Sequence, residues 1–460
     1  MADRPSEVYE FGEFQLDVGE RTLGRRRQRE RIDIPEKAFR TLVHLIRNSG
    51  ALVTKEAILA AVWPGVIVED GNIGKVIHVL RGALGDRSGE WRYIETVPKH
   101  GYRFIAEVTG SGKTVATAPT PKATASRRPP AYDLYLRAKV KTCSENLDDT
   151  NEAIALLEAA VGLDPSFAAA YAQLACAYST RSFKFASPAE SGRFRENADV
   201  ALVKALDLDP NLAEGHFARG LILWTRAKGF PHEEAIKSFK RALDLEPDSD
   251  ETHHQLSMVY SHVGLLEKAQ SHVRRAIDLN PNNTMARFRV GVYAAWQCRF
   301  ENALAVLKTV PSQVSPFLVD RVRAEVYVQL GRPDKARPII DSFLAAHPDD
   351  EGGSLTGVRA LLLAKSGDAR ESRRMIARAI ELGTGFGHFH HTAYNIGGAY
   401  AALHEPDEAV NWIEAAADDG FPCYPYFERD PNLAGLRSYP RFIDLMALLH
   451  KQWKHFRRVA

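Results

Sequence analysis

Over residues 8–34 apolar and polar positions alternate, as in VYEF and FQLD, and Gly12, Gly19 and Gly24 break the runs. A period of two belongs to strands, so this stretch predicts a small antiparallel sheet of hairpins, with Arg25 to Arg31 at a tip. At Pro35 the period lengthens to that of a helix. Ala38, Leu42, Leu45 and Ile46 share one face, Pro35 opens the first turn and Gly50 closes the segment. Thr54 is placed to cap a second helix, TKEAILAAVW, whose first turn carries Glu56. A third helix is predicted from near Asn72 to Gly85. After it, WRYIETVPKHGYRFIAEV reads as two strands joined around Lys99, His100 and Gly101.

The pattern changes again from residue 131. Alanine, a second small residue seven positions on, and a proline five further recur as Ala153, Ala160, Pro165; Ala198, Ala205, Pro210; Ala235, Ala242, Pro247; and Ala269, Ala276, Pro281. Weaker copies run through Ala303, Ala336 to Pro348, Ser372 to Ala379, and Ala409 to Ala416. A period near 34 residues is the mark of a helical solenoid. Each unit is two short amphipathic helices that cross at small residues, and the proline stops the second helix. First helices place Tyr178, Leu223, Tyr260, Tyr327 and Tyr400 at matching positions. These units resemble tetratricopeptide repeats, about eight of them, with insertions in the second and third. The closing segment from Asp418 onward breaks the period and is similar to the terminal cap that shields the end of such arrays. Tyr and His residues along the first helices mostly belong to the core, though some could line a peptide groove.

Composition adds boundaries. At 460 residues the chain exceeds one ordinary core, and 45% apolar with 26% charged residues is ordinary for a soluble protein. The net charge of +2 announces no nucleic acid by itself. Residues 109–130, TGSGKTVATAPTPKATASRRPP, are rich in Pro, Ala, Thr and Ser without apolar periodicity and read as a flexible linker. The domains are therefore expected at 1–108 and 131–460. Cys143, Cys176, Cys298 and Cys423 have no metal or disulfide spacing and suit reduced thiols. With neither a signal peptide nor an 18-residue apolar run, a cytoplasmic protein without membrane contact is expected.

Helix, short helix, helix, then hairpin is the order of a winged helix-turn-helix. A sheet before the first helix, the stretch VEDGNIGKVIHVLRGALGD and the ending YIETVPKHGYRF are similar to the OmpR/PhoB-type DNA-binding domain. The domain stands first with no receiver ahead of it, as in the CadC and ToxR group. The resemblance implies double-stranded DNA as partner. At 100° per residue, Ile73, Val76, Ile77, Leu80 and Leu84 face the core, while Gly71, Lys75, His78, Val79 and Gly82 point away. The outward face would enter the major groove. Lys75 and His78 are its donors, Asn72 could bond adenine or phosphate, and Val79 could meet a thymine methyl. Arg81 lies on the flank, and Thr96 is counted with the contacts. Lys99 and His100 would reach the minor groove or flanking phosphates from the wing, and Tyr102 could bond a phosphate while Phe104 is core. Trp63 suits a phosphate or packing against the wing. Thr54 and Lys55 sit at a helix N-terminus that favours phosphate, although a plain cap explains Thr54 equally. Relatives often carry large basic or polar readers where Gly71, His78 and Val79 stand, and arginine where His100 stands. This implies weak base-specific contact and a need for a homodimer or tandem sites.

Two motifs are set aside. Gly110 to Thr114, GSGKT, resembles the end of a phosphate loop but lacks its first glycine and a following helix. His388, His390 and His391, like the pair His253 and His254, lack Cys or carboxylate partners at ligand spacing, so packing is expected rather than metal. No catalytic constellation, cofactor or metal is expected. The fold class is mostly α: an N-terminal α+β winged helix followed by an all-α repeat superhelix. Its expected function is transcriptional regulation, with the repeats for self-association or a protein partner. The alternative is a repeat scaffold whose winged helix makes protein contacts.

Overall fold

The computed structural model describes residues 7–26, 30–32, 34–62, 70–86, 92–97, 101–110, 130–142, 146–186, 188–281, 283–310 and 316–460. The chain forms two compact units, Met1–Thr124 and Ala125–Ala460.

In the first unit β1 (Val8–Phe11), β2 (Phe14–Asp17), β3 (Thr22–Arg25) and β4 (Glu30–Ile32) form the predicted meander. Three helices follow: α1 (Glu36–Arg47), α2 (Lys55–Val62) and α3 (Asp70–Leu84). The wing is β6 (Ile94–Val97) and β7 (Gly101–Phe104). Two strands of three residues each escaped the pattern. β5 (Leu52–Thr54) adds to β7, giving the order β5-β7-β6, and β8 (Val108–Gly110) pairs with β1, giving β4-β3-β2-β1-β8. The unit's last strand thus runs past residue 108. Three residues are too few to show a period, so only the partner strand defines them.

One apolar core joins both sheets to the helices. Leu42, Leu45, Ile58, Ile73, Leu80 and Phe104 are fully buried in it. Phe11 stands edge-on to Phe104 at 5.2 Å between ring centroids, and Tyr93 stands edge-on to Phe14 at 5.4 Å. Edge-on pairing places ring edges on ring faces and adds to area burial. The N-terminal sheet is thereby fastened to the wing.

The second unit pairs its helices in sequence order. The pairs are α4 (Pro130–Thr142) with α5 (Leu147–Leu163), α6 (Ala168–Thr180) with α7 (Pro188–Leu208), α8 (Ala213–Leu223) with α9 (His232–Leu245), and α10 (Asp250–His262) with α11 (Leu266–Leu279). They continue as α12 (Thr284–Trp296) with α13 (Phe300–Leu307), α14 (Pro316–Gln329) with α15 (Pro333–Ala346), α16 (Ser354–Lys365) with α17 (Ala369–Gly383), and α18 (Phe389–Ala402) with α19 (Pro406–Asp418). The repeat alanines Ala153, Ala160, Ala205, Ala235, Ala269 and Ala276 have no exposed surface, as close helix crossings require. At Gly220 a Cβ would stand 2.7 Å from the Phe239 ring, so α8 and α9 touch through glycine. The insertions are a π-helical turn at Arg181–Phe185 and a 3-10 turn at Arg226–Lys228.

The final segment does not simply cover the end of the array. α20 (Tyr424–Arg429) lies against the ends of α12 and α14, and α21 (Pro440–Val459) returns to the third and fourth repeats. Trp453 Nε1 donates to the Gly264 carbonyl at 3.0 Å, Lys240 Nζ donates to the Ala460 carbonyl at 3.0 Å, and His455 meets Glu233 at 2.9 Å. The ends of four first helices converge on the chain between Phe386 and Asp430. His262 ends α10 and packs on Phe421, Trp296 ends α12 and packs on Phe421 at 4.8 Å, and Gln329 ends α14 and donates to Tyr426 and Asp430. Arg226, just beyond α8, bonds the Phe386 carbonyl and pairs with Asp419 at 2.9 Å. Aromatic residues that a peptide groove could have used are thus packed against the chain's own C-terminal segment. The final segment covers the last pair, through Tyr439 and Arg441 on Asp407, and also closes the array on its third and fourth repeats.

Candidate nucleic-acid interface

The third helix is positioned by its neighbours on three sides. Its apolar side, Ile73, Ile77, Leu80 and Leu84, is at most 2% exposed. The helix before it is fixed at both ends. Thr54 Oγ1 accepts from the Ala57 amide at 3.2 Å, as a cap does, while Arg40 donates to the Ala61 carbonyl at 3.0 Å and Lys37 to the Val62 carbonyl at 3.4 Å. After α3, the Asp86 carboxylate accepts from the amides of Arg92 at 2.8 Å, Tyr93 at 3.2 Å and Ile94 at 3.1 Å. One side chain therefore ties the end of α3 to the start of β6. The base of the wing needs glycine. Gly101 has φ +154, and a Cβ there would stand 2.2 Å from the Val53 carbonyl oxygen. Only a residue without a side chain lets β7 approach β5 so closely.

The predicted contact residues divide into three groups. Val79 is 39% exposed on the side of α3 away from the core, and Gly82 is exposed there too. Trp63, Lys99 and His100 lie outside the described residues, as do the side chains of Asn72, Lys75 and His78. The remaining three are engaged within the domain. Arg81 donates through Nε and Nη2 to the Ile94 carbonyl, the latter at 2.7 Å, and through Nη2 to Thr96 Oγ1 at 2.8 Å. Burial lowers its pKa from the ordinary arginine value, with Tyr102 and Asp86 opposing. Tyr102 is only 8% exposed and belongs to the core. Tyr102 thus lies in the core, the exposed Thr96 accepts from Arg81, and Arg81 ties α3 to β6. A helix register cannot foresee this, because the partner lies thirteen to fifteen residues away. Of the arginine run, Arg26 pairs with Glu10 at 3.0 Å and Arg25 lies over the Phe14 ring at 6.0 Å, while Arg27 and Arg29 lie outside the described residues.

The family description "Transcriptional regulatory protein, C terminal" matches residues 28–104, and tetratricopeptide descriptions match residues 250–283 and 318–342. The chain joins an OmpR/PhoB-type winged helix to tetratricopeptide repeats. The winged helix is similar to the transcriptional regulator HilA of Salmonella typhimurium, 32% identical over 114 residues, which are 25% of this chain and 19% of HilA. The chain thus spans about a fifth of that relative. A second similarity, 30% identity over 203 residues, is to cellulose synthase operon protein C of Xanthomonas axonopodis pv. citri, covering 41% of this chain and 13% of that protein. Among solved structures, the DNA-binding domain of E. coli CadC is 24% identical and covers 24% of this chain and all of that one, with a TM-score of 0.21. No helix among the described residues is long and apolar enough to cross a membrane.

The repeat domain holds a constellation that the sequence reading set aside. His388, His390 and His391 are joined by His262, which arrives from α10, and one ring nitrogen of each lies within 4.8 Å of one from every other. His262 was not singled out because 126 positions separate it from His388, and only the closure of the superhelix brings them together. His253 and His254 do not join this group. His253 instead bonds His272 at 2.8 Å, and His254 is buried.

Proposed function

We propose that the chain is a DNA-binding transcriptional regulator in which α3 enters the major groove and the wing around residues 98–100 meets the adjacent minor groove or its phosphates. The observation that carries this reading is the two-sidedness of α3. Its apolar side is locked into the core, while Val79 and Gly82 lie open on the side shared, by helical register, with Lys75 and His78. The match of residues 28–104 to the regulatory family supports it. Arg81, Asp86 and Gly101 position the wing; Asn72, Lys75, His78, Lys99 and His100 are the proposed contacts, with Trp63 beside them. With few basic readers, affinity rests mainly on phosphates and falls steeply with salt. Self-association or a protein partner of the repeat domain supplies the second half-site, and the regulator acts in the cytoplasm without catalysis of its own.

The test is a genome-wide map of bound DNA for the intact chain, followed by fluorescence anisotropy on an enriched duplex. Lys75→Ala with His78→Ala is expected to weaken binding at least tenfold, about 1.4 kcal/mol. Unchanged occupancy by this folded double variant would transfer the role to a repeat scaffold whose winged helix makes protein contacts.

A further inference from the structure

Four histidines meet where the superhelix closes. His262 is the last residue of α10, His388 caps the N-terminus of α18, and His390 and His391 lie in its first turn. Two of the rings have a defined tautomer. His390 Nδ1 lies 2.8 Å from the Asp419 carbonyl, and His262 Nδ1 lies 2.9 Å from the Met258 carbonyl. A carbonyl only accepts, so each Nδ1 carries the proton and each Nε2 carries a lone pair. Those two Nε2 atoms, and His388 Nδ1, are buried with no hydrogen-bond partner. Leaving a buried polar atom unsatisfied is costly, and here three such atoms come from one cluster. Hydrogen bonding of the other ring nitrogen to a carbonyl is also how proteins orient metal-binding imidazoles.

We propose that His262, His388, His390 and His391 bind a divalent first-row transition metal, with zinc(II) the ion that fits four imidazoles best, and that the ion fastens α10 to α18. A tetrahedral site with bonds of about 2.0–2.1 Å has nitrogen–nitrogen edges of about 3.4 Å. The widest separation of 4.8 Å therefore closes by little more than an ångström when the ion enters.

The surroundings are those of a closed structural site. Phe183 packs edge-on against His388 at 4.9 Å, Phe230 against His390 at 5.6 Å, and Phe421 against His391 at 4.9 Å. Asp419 brings a carboxylate within 3.9 Å of His390, and its Oδ2 is buried without a hydrogen-bond partner. Its other oxygen pairs with Arg226 at 2.9 Å, so the two charges together stand beside the cluster. Burial disfavours the charged form of all four rings, and metal is ligated by the neutral imidazole. A cavity of about 320 Å³ has Ser182, Arg226, Gly387 and the Phe183 ring, which packs on His388, in its lining.

The experiment uses the intact chain, stripped with chelator and titrated with zinc chloride by isothermal calorimetry at pH 7.5. The expected result is one equivalent bound per chain, with cobalt(II) giving the strong visible absorption of a tetrahedral site. Zinc should raise the melting temperature of the repeat unit, since binding to the folded state alone stabilises it by mass action. His390→Gln and His391→Asn should each weaken binding at least about tenfold, whereas His272→Gln, outside the cluster, should not. Failure of the intact chain to bind one equivalent overturns the proposal whatever the variants do. Binding that survives in the double variant His262→Gln with His390→Gln overturns it as well. DNA affinity enters none of these readings, so a failed winged-helix assignment leaves the metal test intact.

Discussion

Replacing Arg81 by alanine separates a residue that holds the wing from one that touches DNA. The guanidinium makes two contacts to the Ile94 carbonyl and one to Thr96 Oγ1. Hydrogen bonds from a charged donor contribute about 1.5–3 kcal/mol net. The group is half-buried, so solvent screens part of this, and truncation should cost the winged domain about 2 kcal/mol. That raises the local opening of β6 roughly thirtyfold. Hydrogen exchange of the peptide spanning residues 92–97 reads this directly, and Arg81→Lys, which keeps the charge but loses the planar fork, should show most of the same loss. DNA affinity should fall only as far as the wing loosens. Its salt dependence should stay unchanged, because no phosphate contact is lost. Lys99→Ala, by contrast, should reduce the slope of log affinity against log salt by about 0.9 between about 50 and 200 mM. If Arg81→Ala left β6 protected and took that unit of slope instead, the side chain would be a phosphate ligand and the argument from its hydrogen bonds would fail.

Two further outcomes concern the repeat domain. Trp453→Ala removes the hydrogen bond to Gly264 and the packing of its half-buried ring beside Tyr424 and His450. The expected cost is about 2–3 kcal/mol, below that of a fully buried tryptophan, with α21 losing exchange protection before the repeats do; protection unchanged along α21 would contradict the closure. Acid should destabilise the domain as well. Burial lowers His254 to about 3 and His272 to about 4, below the value near 6.5 of an unfolded chain. Stability from these two is therefore complete above pH 6.5 and is lost as pH falls toward 4, at up to about 1.4 kcal/mol per pH unit for each. Urea denaturation at pH 7.5 and pH 4.5 measures the loss, and His254→Gln should flatten the slope. An equally steep slope in that variant would place the proton uptake elsewhere.

Much of the fold could be read from the chain because its cause is local. The helices of the first unit follow from Pro35, Thr54 and the spacing of Ile73, Ile77, Leu80 and Leu84, all of which act within a turn or two. The eight helical pairs among the described residues of the second unit follow from recurring alanines, because a crossing between adjacent helices admits only a small side chain. Short strands were less legible. Leu52–Thr54 and Val108–Gly110 are defined by hydrogen bonds to β7 and β1, and three residues carry no period of their own. Site residues followed the same rule. The exposure of Val79 was a matter of helix register, whereas the inward engagement of Arg81 depended on a strand thirteen positions away.

The amino-acid pattern by itself determined the two kinds of unit, their order and the apolar side of each helix, since propensity, capping and periodicity act between residues a few positions apart. Tertiary structure alone decided that α21 returns to the third and fourth repeats, and that His262 joins His388, His390 and His391. Small rotations between successive repeats accumulate over eight hairpins. Their sum, which no single repeat encodes, determines which distant side chains share one interior.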